Sequence, residues 1–149
     1  MSTFVVDASV AAKWFLQEPY SSEARLLLKA NYTLLVPDLL YSEVGNSFWK
    51  RVRKGEISAT EASEILTTLC GLPLAIHKTH ALAPVALEIA CMTGRSVYDS
   101  IYLALAIREE GVVVTADERF YNALANTPLS SKTMWVASIP GQQNSDQIP

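Results

Sequence analysis

Val112-Val-Val-Thr115 is the strongest strand signal in the sequence, three valines in a row between Gly111 and Ala116-Asp117. β-Branched residues favour extended backbone, and a run without polar alternation expects burial on both faces. That pattern predicts a parallel sheet covered by helices, not a half-exposed hairpin. Outward from it, residues 3–6, 33–36, 73–76 and 134–136 read as further short apolar strands. Helical stretches alternate with them. Residues 8–16 stop before Pro19, residues 22–30 open on Ser21 or Ser22 as cap, and residues 39–54 close on Gly55. Ser58-x-x-Glu61 is a capping box opening a helix to about residue 70. Residues 79–93 end at Gly94, residues 98–110 end at Gly111, and residues 117–125 form a last short helix. The expectation is a three-layer α/β/α sandwich with a central parallel sheet, one domain over residues 1–140. Residues 141–149 have nothing to bury and are expected to be a disordered tail.

Composition narrows the class. At 149 residues, half of them apolar, the chain is long enough to bury roughly 70% of its unfolded surface in one core. No run of about 18 uncharged apolar residues suggests a membrane span. The first residues lack a basic segment, and Asp7 interrupts their apolar run, so no secretory signal is read and a cytoplasmic protein is expected. Cys70 and Cys91 are expected to be buried free thiols, and His77 and His80 lack partners at zinc spacing. The net charge of −3 disfavours indiscriminate adhesion to nucleic acid while leaving room for a local basic patch.

Four acids carry the chemistry. Ligands of open parallel sheets bind beyond the carboxyl ends of the strands. Asp7 follows the first strand directly, and Asp117 comes two residues after the valine strand. Asp99 opens the helix that runs back before that strand, and Glu43 lies about one turn into the helix after the second strand. Each has an ordinary explanation alone. Asp7 or Ser9 would cap a helix, and Glu43 would be a solvated helix residue. Ser96 with Asp99, and Thr115 with Glu118, would form capping boxes. Capping does not explain why one sheet edge gathers so many carboxylates, which repel unless a cation sits among them. An all-oxygen set favours Mg²⁺, or Mn²⁺, and such ions act mainly on phosphate oxygens. Ser9, Asn46 and Thr115 stand beside the acids in sequence or on a helix face and would brace them.

Four segments, in order, resemble the motifs of PIN domains: Val5-Val-Asp-Ala-Ser9, Tyr41-Ser-Glu-Val-Gly-Asn46, Tyr98-Asp-Ser-Ile-Tyr-Leu-Ala-Leu-Ala106 and Val114-Thr-Ala-Asp-Glu-Arg-Phe120. The resemblance is nearest to the VapC toxins of bacterial and archaeal toxin–antitoxin pairs and spans residues 3 to about 137. It implies that Asp7, Glu43, Asp99 and Asp117 form the acidic site of a Mg²⁺-dependent ribonuclease, with Asp7 and Asp99 as the principal ligands. Asp117 or Glu43 is then the candidate base or anchor. It also implies an RNA substrate, an antitoxin protein that covers the site, and a homodimer.

Two other classes compete with that expectation. A small-molecule phosphatase would want a second aspartate where Ser9 stands. A non-catalytic module would hold a structural ion or only a partner protein. A dinucleotide-binding domain is excluded because no glycine-rich turn follows the first strand. The run Lys50-Arg51-Val-Arg53-Lys54 is the densest basic cluster. It complements a helix carboxyl end, and on the ribonuclease reading it would be an RNA-contacting rim that Lys13, Arg95 and Arg119 could join. The adjacent pairs Trp14-Phe15 and Phe48-Trp49 are expected in the core, with an outward member available to a partner. Charge reversal at Arg51 or Arg53 is expected to weaken RNA binding and flatten its salt dependence. A salt titration of RNA affinity checks this, and unchanged affinity would discard the contact.

Overall fold

The computed structural model describes residues 2–29 and 31–141, so nearly all of the expected tail lies outside the described residues, as does Ala30. Five strands, β1 (Thr3–Val6), β2 (Thr33–Pro37), β3 (Ala75–His77), β4 (Val112–Thr115) and β5 (Thr133–Trp135), form one sheet in the order β3-β2-β1-β4-β5. Every neighbouring pair is parallel, as the unbroken apolar strands require. The two strands β1 and β4 are enclosed beyond their first residues, with no exposure at Val5, Val6, Val113 or Val114.

The helices are α1 (Ala8–Ala11), α2 (Ser21–Lys29), α3 (Leu39–Arg53), α4 (Ala59–Cys70), α5 (Thr79–Thr93), α6 (Val97–Arg108) and α7 (Glu118–Leu124). The chain moves from β1 outward to β3, then crosses back to β4 and outward again to β5. Right-handed connections therefore place α1–α4 on one face and α5–α7 on the other. Packing agrees: α1 lies against α3, α3 against α4, and α5 against α6. The winding reverses between β1 and β4, which opens a crevice beyond their carboxyl ends. No helix among the described residues is long and apolar enough to cross a membrane.

Several expectations need correction. Residues 8–16 are not one helix. A single α-turn tightens into a 3-10 turn over Ala12–Trp14, with Trp14 Nε1 donating to the Ala24 carbonyl at 2.9 Å. Cys70 and Cys91 are exposed, not buried. The buried stripe of α5 runs through Leu82, Ala86 and Ile89, and Cys91 falls off it. Cys70 ends α4 one residue beyond the buried Leu69. Of the aromatic pairs, Trp14 and Phe48 enter the core, whereas Trp49 is 52% exposed.

Gly55 and Gly94 take the positive φ expected after helix ends. Gly111 does not. The left-handed residue after α6 is Glu110, with φ 55°, and Gly111 is needed for a different reason. A Cβ there would stand 2.9 Å from the carbonyl oxygen of Thr3, where β4 enters the sheet beside β1. Gly111→Ala is accordingly expected to destabilise the fold by about 1–3 kcal/mol, because backbone rather than a flexible side chain would have to move. Urea denaturation reads the loss.

Candidate active site

Asp7 stands at the reversal of the winding. Its amide donates to the Val114 carbonyl at 3.1 Å, extending the β1–β4 ladder by one residue. That bond fixes the side chain in the crevice, where it is only 8% exposed. Asp7 does not cap α1 with its carboxylate. Instead Ser9 Oγ donates to Asp7 Oδ2, and Thr115 Oγ1 donates to the same oxygen at 3.0 Å. Oδ1 has no protein donor among the described residues. Ser9 accepts from the Ala116 amide at 3.0 Å and Thr115 from the Asp117 amide at 3.1 Å. The turn after β4 is thus laced to the turn after β1, and both hydroxyls are oriented by backbone before they reach the acid.

The other three acids share one electrostatic field with Asp7. Burial pushes the Asp7 carboxyl up to about 6 against the pull of the two hydroxyls, and Asp99 and Asp117 push it the same way. Burial also raises Glu43, reinforced by Asp7 and Asp99, and raises Asp99, reinforced by Asp117. Each outer acid is engaged by a different group. Tyr102, wholly buried, donates its hydroxyl to Glu43 Oε1 at 2.7 Å. Arg95 Nη2 donates to Asp99 Oδ2 at 2.9 Å. Asp117 caps α7, its Oδ1 accepting from the amides of Arg119 and Phe120 at 3.0 and 3.2 Å. Among the described residues no three acids, histidines or cysteines are gathered closely enough to hold one ion. The donor set nonetheless fits a hard cation: it is all oxygen, mutually repulsive, and centred on a buried carboxyl that resists ionisation.

The acids follow the carboxyl ends of the strands, as strand direction requires. Two residues that engage the site, Tyr102 and Glu18, were not anticipated from the sequence. Tyr102 is three positions after Asp99 on α6, a spacing that would have flagged it as sharing that face. Arg95, expected on an RNA-contacting rim, is turned onto Asp99 and buries an unpartnered Nε. Glu18 had no sequence signal. Asn46, expected to brace Glu43, is exposed and makes no hydrogen bond to the acids among the described residues. The residue one step on, Ser47, lines the cleft instead, together with Ser9, Lys13, Glu18, Glu43 and Arg51. The basic run divides around α3. Arg51 faces this cleft, whereas Lys50, Arg53 and Lys54 gather near Trp49, with the Arg53 guanidinium 5.0 Å from its ring centre.

A parallel sheet wound about an acidic crevice, with four acids in one field, defines a domain class that comparison makes specific. The family model for the PIN domain matches residues 4–124, and the chain belongs to that family. Its sequence is 36% identical over 118 residues to ribonuclease VapC3 of Pyrobaculum aerophilum, covering 77% of this chain and 89% of that one. The fold is similar to PAE2754 from the same organism, with a TM-score of 0.68 at 22% identity, over 91% of this chain and 84% of that one. It is also similar to a chain of a toxin–antitoxin complex from Klebsiella pneumoniae, with a TM-score of 0.62 at 14% identity, over 90% and 96%. VapC20 of Mycobacterium tuberculosis, a sarcin–ricin loop cleaving toxin, matches with a TM-score of 0.62 at 14% identity, over 80% and 94%.

The raised Asp7 carboxyl has a thermodynamic consequence. A carboxyl that holds its proton more tightly folded than unfolded adds stability at low pH. That contribution is lost as pH rises from the unfolded value, near 3.8, through about 6. In metal-free protein at pH 7.5, Asp7→Asn keeps an accepting oxygen for Ser9 and Thr115 and removes the buried charge. It is expected to raise stability by about 1–3 kcal/mol. The gain should vanish by about pH 4. Urea unfolding in EDTA at the two pH values checks it.

Proposed function

We propose that the chain is a Mg²⁺-dependent endoribonuclease, the toxin of a toxin–antitoxin pair. The observation that carries this reading is the buried Asp7 carboxylate, held on one oxygen by Ser9 and Thr115, its pKa raised by burial and further by Asp99 and Asp117. Such a group is costly without a cation and well prepared for one. A relative of more than one-third identity is named a ribonuclease, and a protein of similar fold is described as a sarcin–ricin loop cleaving toxin. Asp7 and Asp99 would hold the ion, with Mn²⁺ as an alternative to Mg²⁺. When bound, the ion would polarise the scissile phosphate and lower the pKa of the attacking water, whose proton a neighbouring carboxylate would take. Ser9 and Thr115 hold the Asp7 carboxylate by one oxygen and would keep it oriented for the ion. Tyr102 keeps Glu43 oriented, and Glu43 or Asp117 takes the role of base or anchor.

The phosphatase alternative loses ground because Ser9 is committed to Asp7 and the Ala116 amide. As partners we expect an antitoxin protein and a second copy of the chain. The apolar groove between α3 and α4, lined by Gly45, Phe48, Trp49, Val52, Ala62 and Leu66, supports a protein partner on that face.

Purified protein is expected to cleave RNA only with a divalent ion, losing activity in EDTA and regaining it with Mg²⁺. Asp7→Asn and Asp99→Asn should each lower the rate by at least about a hundredfold. Ser9→Ala and Thr115→Val should cost about 10- to 100-fold, because they only orient the acid. Cleavage persisting in Asp7→Asn at the wild-type Mg²⁺-dependent rate would sink the reading.

A further inference from the structure

Glu18 lies between two cations on the wall of the acidic cleft. Its Oε1 accepts from Lys13 Nζ at 3.2 Å and its Oε2 from Arg51 Nη2 at 2.9 Å, so both oxygens are committed. Side-chain exposure is 13% for Lys13, 19% for Glu18 and 28% for Arg51, low for three charged groups. The backbone beneath is built to hold this arrangement. The Glu18 amide donates to Ser21 Oγ at 3.1 Å, the Ser21 amide returns to the Glu18 carbonyl at 3.1 Å, and Ser21 Oγ donates to the Leu16 carbonyl at 2.6 Å. Pro19 follows, and Tyr20 takes a positive φ of 68° to turn the chain into α2. Arg25 braces the same loop through the carbonyls of Trp14 and Leu16.

Two cations and one anion leave one positive charge over. It stands on the cleft that Glu43 and Ser9 also line. The remaining donors of Lys13 and Arg51 have no protein partner among the described residues. One surplus positive charge with spare donors matches one phosphodiester. We infer that Glu18 is a positioning residue, holding Lys13 and Arg51 as a seat for an RNA phosphate that neighbours the one being cut. The inference rests on the ribonuclease reading and deepens it. It also separates Arg51 from Lys50, Arg53 and Lys54, which face elsewhere.

Removing a negative charge ordinarily tightens RNA binding, whereas breaking a seat loosens it, and this opposition of signs makes the test. The full-length protein is assayed with a mixed-sequence single-stranded RNA, by cleavage in Mg²⁺ and by fluorescence anisotropy across a salt series. Glu18→Gln is expected to raise KM about tenfold, the worth of one charge-assisted contact, with kcat unchanged. The salt slope should flatten by about 0.7, the value for one phosphate of a single strand. Glu88→Gln, the same charge change at an exposed site on α5, should bind as tightly as wild type or more so. In a Lys13→Ala/Arg51→Ala background, Glu18→Gln should add no further loss. Glu18→Gln binding like Glu88→Gln, or adding a full loss in that background, overturns the seat. Should Glu18→Gln melt below the assay temperature, the Lys13→Ala/Arg51→Ala protein carries the test, and an unchanged KM and slope overturn it. A wild-type chain that neither binds nor cleaves RNA overturns the ribonuclease reading and the seat with it. Wild-type cleavage with an unaffected Glu18→Gln overturns the seat alone.

Discussion

An aspartate carboxylate follows the last residue of the central strand, in the crevice where the winding of the sheet reverses, and little water reaches it. Much else in the molecule answers to that placement. Stripping a carboxylate of solvent costs several kcal/mol unless something replaces the lost hydrogen bonds. Here two hydroxyls replace them, one from the turn after β1 and one from the end of β4, and each is itself held by an amide of the turn after β4. The acid is thereby part of the joint between the two central strands. Compensation is incomplete, and the residual tension shows in the raised carboxyls of Asp7, Glu43 and Asp99. Natural sites commonly carry destabilisation of this kind where a ligand is meant to relieve it.

The outer acids are each held by a different neighbour. Tyr102, Arg95 and the first amides of α7 each take one carboxylate. The result is a set of acids that feel one another's charge without forming a cage. The cations are distributed in a related way. Helix α3 splits a run that looks continuous in sequence, sending Arg51 to the cleft and Arg53 to the ring of Trp49.

The sheet was readable because uninterrupted valines leave few alternatives, and the edge carrying the acids followed from strand direction alone. Asp7 and Asp117 needed nothing more than their positions after β1 and β4. Glu43 needed the family resemblance, since a glutamate one turn into a helix looks like ordinary surface. What escaped was whatever depends on side-chain direction across elements. The bonds of Tyr102 to Glu43 and of Glu18 to Arg51 join residues 59 and 33 positions apart, and no local pattern encodes either. Asn46 and Ser47 differ by one position on α3, about 100° of rotation, which periodicity does not resolve so near the boundary of a face. The cysteines misled because thiols are usually buried, whereas these two fall beside buried stripes rather than in them.

Strand β1 lies between β2 and β4, and the bond from Thr115 to Asp7 spans 108 positions of sequence. Closing so long a loop is slow and comes late relative to local helix formation. While the chain is being made, Asp7 is exposed early, yet the second of its bracing hydroxyls, that of Thr115, and the turn bearing Asp117 are absent until most of the domain has been synthesised. The amino-terminal part of the chain, with β2 and its helices in place, would still lack the crevice. The fold thus keeps its own site from existing until the segment after β4 has joined the sheet.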